Sequence, residues 1–161
     1  MKTSSLQRSL GFAFAGLLFS LVCTPAVPAI KNMAVVVAAG SKLADVPLAD
    51  LGKYCKGTTK AWPDGKSFVI VLKNPDAAEM RVTLQKLFGG GAADARVLIA
   101  KLNETRQAVK IVESDDDLLR VVESTPGAVG IVDVYAINSS VKVLRIDGKL
   151  PFDAGYALRG N

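Results

Sequence analysis

Lys60-Ala61-Trp62-Pro63-Asp64-Gly65-Lys66-Ser67-Phe68-Val69-Ile70-Val71-Leu72-Lys73-Asn74-Pro75-Asp76-Ala77-Ala78-Glu79-Met80-Arg81 reads as a tight turn, a buried strand, a polar loop and the opening of a helix. Pro63 presets its φ, Asp64 offers an acceptor to nearby backbone and Gly65 tolerates a left-handed conformation, so the turn has a physical cause. Ser67 to Leu72 is nearly unbroken apolar sequence, as expected of a strand covered on both faces. The loop from Lys73 to Ala77 then feeds a helix, and loops at the carboxyl ends of strands are where open α/β sheets hold ligands. Any binding site is expected there.

The flanking segments extend the pattern. Met33 to Ala39 is a β-branched apolar run, a buried first strand, ended by Gly40-Ser41. Pro47 suits a first helical turn, Leu48, Leu51, Tyr54 and Cys55 share one helical face, and Gly57 ends it. Cys55 on that face reads as a small core residue. Beyond Ala77, Met80, Leu84, Leu87 and Phe88 form a stripe stopped by Gly89-Gly90-Gly91, which reads as a helix-helix connection because no strand precedes it. A second helix, 92–103, carries Ala95, Leu98, Ile99 and Leu102, and Ala108–Val112 is a short strand. Ser114-Asp115-Asp116-Asp117 reads as a capping box whose acids offset the helix dipole; the spaced oxygen ligands and central glycine of an EF-hand are missing. Thr125-Pro126-Gly127 precedes the strand Ala128–Val134, where Gly130 signals a close approach or a bulge. Val141–Ile146, the turn Asp147-Gly148 and a tail complete the chain. The order β-α-β-α-α-β-α-β-β predicts a three-layer α/β lobe with a mixed or mostly parallel sheet flanked by helices.

Of the 161 residues, 1–29 have the pattern of a secretory signal: Lys2 and Arg8, an apolar run from Leu10 to Val22, and Val27-Pro28-Ala29 as a cleavage site, with cleavage after Ala26 as the alternative. Lipidation of Cys23 is disfavoured by bulky Val22 before it. The run is too short to span a bilayer, so the protein is expected to be periplasmic or secreted and not an integral membrane protein. Residues 30–161 then form a single domain. Loss of Lys2 and Arg8 leaves 18 basic residues from the original 20 against 15 acidic ones, a net charge of +3. Those charges are dispersed and not interleaved with aromatics, which argues against nucleic-acid binding. The chain has no histidine, so Ser-His-Asp and Cys-His catalysis and histidine metal sites are excluded. Cys55 alone remains after cleavage, so no internal disulfide is available. No cofactor and no metal are expected. Two N-x-S/T sequons, at Asn103 and Asn138, matter only in a glycosylating host.

Several stretches carry a family resemblance: Leu48–Gly57, Trp62-Pro63-Asp64-Gly65 with the strand-loop-helix through Arg81, Thr125–Ile131, Val141–Gly148 and Tyr156-Ala157-Leu158. Together they resemble the short PstS-like phosphate-binding proteins of bacterial ABC transport, with the type II periplasmic binding-protein fold. The resemblance places an anion at the loop after the second strand, where the family usually carries an Arg and then Ser-Gly-Thr-Arg. Here Ala78 stands at the Ser position, Met80 at the Thr position, and only Arg81 matches. Both hydroxyls are replaced, while Asp76 and Glu79 add negative charge.

The candidate ligand residues are accordingly Arg81, Asn74, Lys73, Asp76 and Ala78, with no catalytic residue and no metal ligand. The leading expectation is a solute-binding protein of the phosphate ABC-transporter type that binds a small phosphate-like anion without chemistry, partnered by a permease. The alternative is an envelope protein-interaction module that keeps the lobe and has lost the anion site. Convergence of Arg81, Asn74 and backbone N–H groups would favour the first; an exposed apolar patch would favour the second. An enzyme using Asp64 with Asp76 is the weakest class, because nothing in their spacing specifies it.

Overall fold

In the computed structural model, which describes residues 31–160, one five-stranded sheet carries the molecule, in the order β4-β3-β5-β1-β6. Its strands are β1 (Met33–Ala38), β3 (Val69–Lys73), β4 (Val109–Val112), β5 (Ala128–Asp133) and β6 (Val141–Val143). β3 pairs in parallel with β4 and β5, whereas β1 pairs antiparallel with β5 and β6. The sheet is thus mixed, and its parallel character is confined to the β4-β3-β5 half. The signal-peptide reading falls on residues 1–29, outside the described residues.

Side chains alternate between two cores. Val35, Val37, Ile70, Leu72 and Ile131 face α1 (Leu48–Cys55), the segment 78–88 and α3 (Ala92–Thr105). Val36, Val71 and Val132 face α4 (Asp115–Ser124) through Leu118, Leu119 and Val122. Helices therefore cover both faces, giving the three layers expected from the sequence. Gly130 is what lets α4 settle onto the sheet: a Cβ there would stand 2.5 Å from Leu118 Cδ2 and 2.7 Å from Val122 Cγ2. Of the two readings of that glycine, close approach is the one realised.

Three local departures have physical causes. The strand expected at Ser67 begins at Val69, because Ser67 bridges Ala61 to close the 62–65 turn. The helix expected from Ala77 is three joined pieces: a 3-10 turn at Ala78–Met80, α2 (Arg81–Thr83) and a wide π turn at Leu84–Phe88. No side chain caps its start, so the entry is tightened into 3-10 geometry. The strand expected over Val141–Ile146 breaks at Leu144, which is fully buried, and the remainder, β7 (Arg145–Ile146), pairs in parallel with β2 (Asp45–Val46) as a separate ribbon.

At the start of β3, Trp62 is an anchor. Its ring is 4 % exposed, packs with Tyr54 and Phe68, and donates from Nε1 to the Gly127 carbonyl at 2.9 Å. Gly127 has φ +79°, and a Cβ would meet the Ser67 carbonyl at 2.3 Å. The Trp-Pro-Asp-Gly turn and the Thr-Pro-Gly turn, far apart in sequence, thereby lock the same end of the sheet.

Candidate functional site

The parallel arrangement of β3, β4 and β5 brings their carboxyl ends to one edge of the sheet, and antiparallel β1 starts there, with Met33 opposite Asp133. Five charged side chains meet at this edge. Lys73, the last residue of β3, places Nζ 2.5 Å from Glu79 Oε1 and 2.9 Å from Asp115 Oδ1. Lys31, just before β1, places Nζ 3.1 Å from Asp133 Oδ2 and 3.7 Å from Glu79 Oε2. Glu79 therefore bridges both lysines.

The Lys73 side chain is 12 % exposed and that of Asp133 11 %, so these ions are substantially desolvated. Burial alone would lower the pKa of Lys73, but hydrogen bonds to Glu79 and Asp115 outweigh it and hold the ammonium above its ordinary value. Lys31 is likewise raised, chiefly by its hydrogen bond to Asp133. Two ammonium groups face three carboxylates, leaving the cluster at −1. An incoming oxyanion would find the cations taken and net negative charge beside them.

The five residues singled out from the sequence do not converge. Lys73 sits at the centre of the cluster, already paired. Asn74 is exposed and turns its Oδ1 to accept from the Asp76 N–H at 3.0 Å, shaping the loop. Asp76 pairs with Arg96 on α3. Ala78 opens the 3-10 turn and brings no donor beyond its backbone. The Arg81 side chain is exposed at the start of α2, and among the described residues no carboxylate lies within ion-pair distance of it.

Asp115 and Asp133 were missed by the sequence reading. Ser114 does cap α4, accepting the Asp117 N–H on its Oγ at 3.1 Å, but Asp115 reaches across to Lys73. Only the parallel register of β3 and β4, which sets Lys73 opposite Val112, brings them together. Asp64 and Asp76, weighed as an acid-base pair, lie beyond opposite ends of β3 and pair separately with Lys66 and Arg96. Among the described residues no group of His, Cys, Asp and Glu side chains is placed to hold a metal, and no helix is long and apolar enough to cross a membrane.

No protein-family model matches the chain. Two curated relatives, each named phosphate-binding protein PstS 2, from Streptococcus agalactiae serotypes V and III, are 28% identical over 109 residues, covering 68% of this chain and 36% of theirs. An ABC-type phosphate transport receptor from Vibrio cholerae superposes with a TM-score of 0.63 at 16% identity, over 81% of this chain and 54% of its own. PstS from Borrelia burgdorferi gives 0.60 at 15%, over 81% and 55%. The fold is that of the PstS-like phosphate-binding proteins. The chain spans about a third of the length of these curated relatives and about half of the solved chains. A third match, a putative phosphate ABC transporter substrate-binding protein from Clostridium perfringens solved with bound phosphate, scores 0.58 at 17% identity over 73% of this chain. In the PstS-like sheet described here, the carboxyl edge is the ligand-facing position expected of open α/β sheets, and this chain fills it with its own ions.

Proposed function

We propose that the chain works by binding and not by chemistry: an exported, PstS-like lobe whose strand-end face recognises another envelope protein, an ABC-transporter permease being one candidate. The observation that carries this reading is the pairing of Lys73 with Glu79 and Asp115. The cation best placed to grip an oxyanion is spent, and the hydroxyls at positions 78 and 80 are absent. Beside the cluster, two residues beyond Asp133, Tyr135 is 84% exposed with its ring 6.3 Å from that of Phe152, itself 61% exposed. An exposed aromatic pair next to desolvated charge has the composition of a protein-binding hot spot.

Arg81 supports the second reading, a solute-binding protein for a phosphate-like anion. Its guanidinium is exposed and unpaired among the described residues, and a bidentate grip on a tetrahedral oxyanion needs nothing more from the side chain. In that reading the anion must displace Glu79 from Lys73.

Titration of the purified protein with phosphate and sulfate, followed by Trp62 fluorescence and thermal unfolding, separates the two. The interaction-module reading expects both signals to stay flat through millimolar anion. A saturable rise in the unfolding midpoint that Arg81→Ala abolishes would establish the transport reading instead, since an anion at a hundred times its Kd adds about 2.7 kcal/mol of stability.

A further inference from the structure

β4 is an edge strand, bonded only to β3. The Ile70 N–H donates to the Ala108 carbonyl at 2.9 Å, and the register pairs Ile70 with Val109. By the alternation of a parallel ladder, Lys110 and Val112 turn their backbone groups toward β3 while Val109 and Ile111 present theirs to the open side. Val109 is not open. The Asn103 carboxamide from α3 donates from Nδ2 to the Val109 carbonyl at 2.9 Å and accepts the Val109 N–H on Oδ1 at 3.0 Å. The side chain thus imitates a neighbouring strand for one residue. At Ile111 nothing takes that place among the described residues; its side chain is 46% exposed, beside a shallow groove of about 500 Å³ lined by Asn103, Gln107 and Lys110.

We propose that Asn103 guards this edge, and that withdrawing its carboxamide exposes a strand onto which a second copy of the chain adds antiparallel through its own β4. The occupant follows from the sequence of the edge. A two-fold pairing centred on Ile111 sets Ile111 against Ile111, Lys110 against Val112 and Val109 against Glu113, so the central pair is apolar on apolar and no like charges oppose. With Asn103 in place only the central residue pair can bond, which is too short to hold two chains. With it withdrawn, the Val109–Glu113 pairs on either side join the ladder. Unprotected edges are a recognised route to self-association, and a side-chain plug is an economical block. The same geometry bears on the Asn103 sequon: both polar atoms of that carboxamide are committed to Val109. This inference is independent of what the strand-end face binds.

The test is sedimentation equilibrium on the purified wild type, Asn103→Ala, and Asn103→Ala with Ile111→Lys, with circular dichroism to confirm folding and hydrogen exchange to follow the Val109 amide. Wild type is expected to be monomeric at tens of micromolar. Asn103→Ala should associate at least tenfold more tightly, lose Val109 protection when dilute and regain it when concentrated, and return to monomer when Ile111→Lys is added. Asn103→Asp, which keeps the acceptor and loses the donor, should give weaker association and serves if the alanine variant does not fold. A folded Asn103→Ala protein that has lost Val109 protection and stays monomeric overturns the proposal. So does association that Ile111→Lys leaves unchanged.

Discussion

Replacing Lys73 with methionine keeps the length of the stem and removes the ammonium, which isolates the ion cluster's contribution. Two carboxylate oxygens lie 2.5 and 2.9 Å from that nitrogen, and in the variant Glu79, Asp115 and Asp133 face one another with Lys31 alone to offset them. Removing one partner from a fully buried ion pair costs about 3–5 kcal/mol. The side chains of Glu79 and Asp115 retain 20% and 26% exposure, so water screens part of the loss and the expectation falls to about 2–3 kcal/mol. For a domain of this size that is roughly a 10 °C drop in Tm. Urea unfolding read from Trp62 fluorescence measures it directly. Adding Glu79→Gln to Lys73→Met should recover about half the loss, because the carboxylate left unpaired is the cause. In the wild type, the raised pKa of Lys73 means its contribution is complete below the ordinary lysine value of 10.5 and is lost as pH climbs through the higher folded value. A Lys73→Met protein within about 0.5 kcal/mol of wild type, or a double variant less stable than the single, would refute the electrostatic account.

Trp62→Phe should cost about 1–2 kcal/mol by leaving the Gly127 carbonyl without its 2.9 Å donor, measured by thermal unfolding followed by circular dichroism. A change too small to resolve would mean that the two turns are held by packing alone. Gly130→Ala should destabilise by about 1–3 kcal/mol, since the added carbon stands 2.5 Å from Leu118 Cδ2; adding Leu118→Ala should relieve part of that cost. Cys55 has no exposed surface, and burial pushes its thiol pKa well up, so Ellman's reagent should label it only at the rate of unfolding. Rapid labelling of the native protein would contradict the burial described here.

Most of the fold was readable because its signals are local. Unbroken apolar runs marked the strands, Gly89-Gly90-Gly91 separated two helical stripes, and Ser114 announced α4. The sites that escaped depend on distant partners. β2 and β7 hold two residues each, too few to show periodicity, and exist only because Asp45 meets Arg145 in space. Asp115 looked like dipole compensation because the sequence does not reveal that Lys73 lies across from it. Glu79 was legible as a negative charge near Arg81, but not as the group that bridges Lys31 and Lys73. Arg81 follows Glu79 by two residues, yet no ion pair to Arg81 forms among the described residues, because Glu79 turns to the lysines instead.

Fold and ligand separate at one loop. The sheet needs apolar alternation at 69–72, room at Gly130 and the Trp62 lock on Gly127, and every one of these lies away from residues 74–81. Within that loop Met80 is fully buried in the same core, whereas Asn74, Asp76 and Ala78 are exposed and shape the carboxyl edge without entering the sheet's packing. The edge still requires local charge balance, because Lys73 is too buried to stand alone; Glu79 and Asp115 supply internally the negative charge that a bound anion would otherwise bring. That is why resemblance in fold to phosphate receptors does not by itself carry phosphate binding to this chain. A cluster already satisfied in this way gains little from a free anion, whereas a protein surface that covers Tyr135 and Phe152 gains apolar burial and need not break any ion pair.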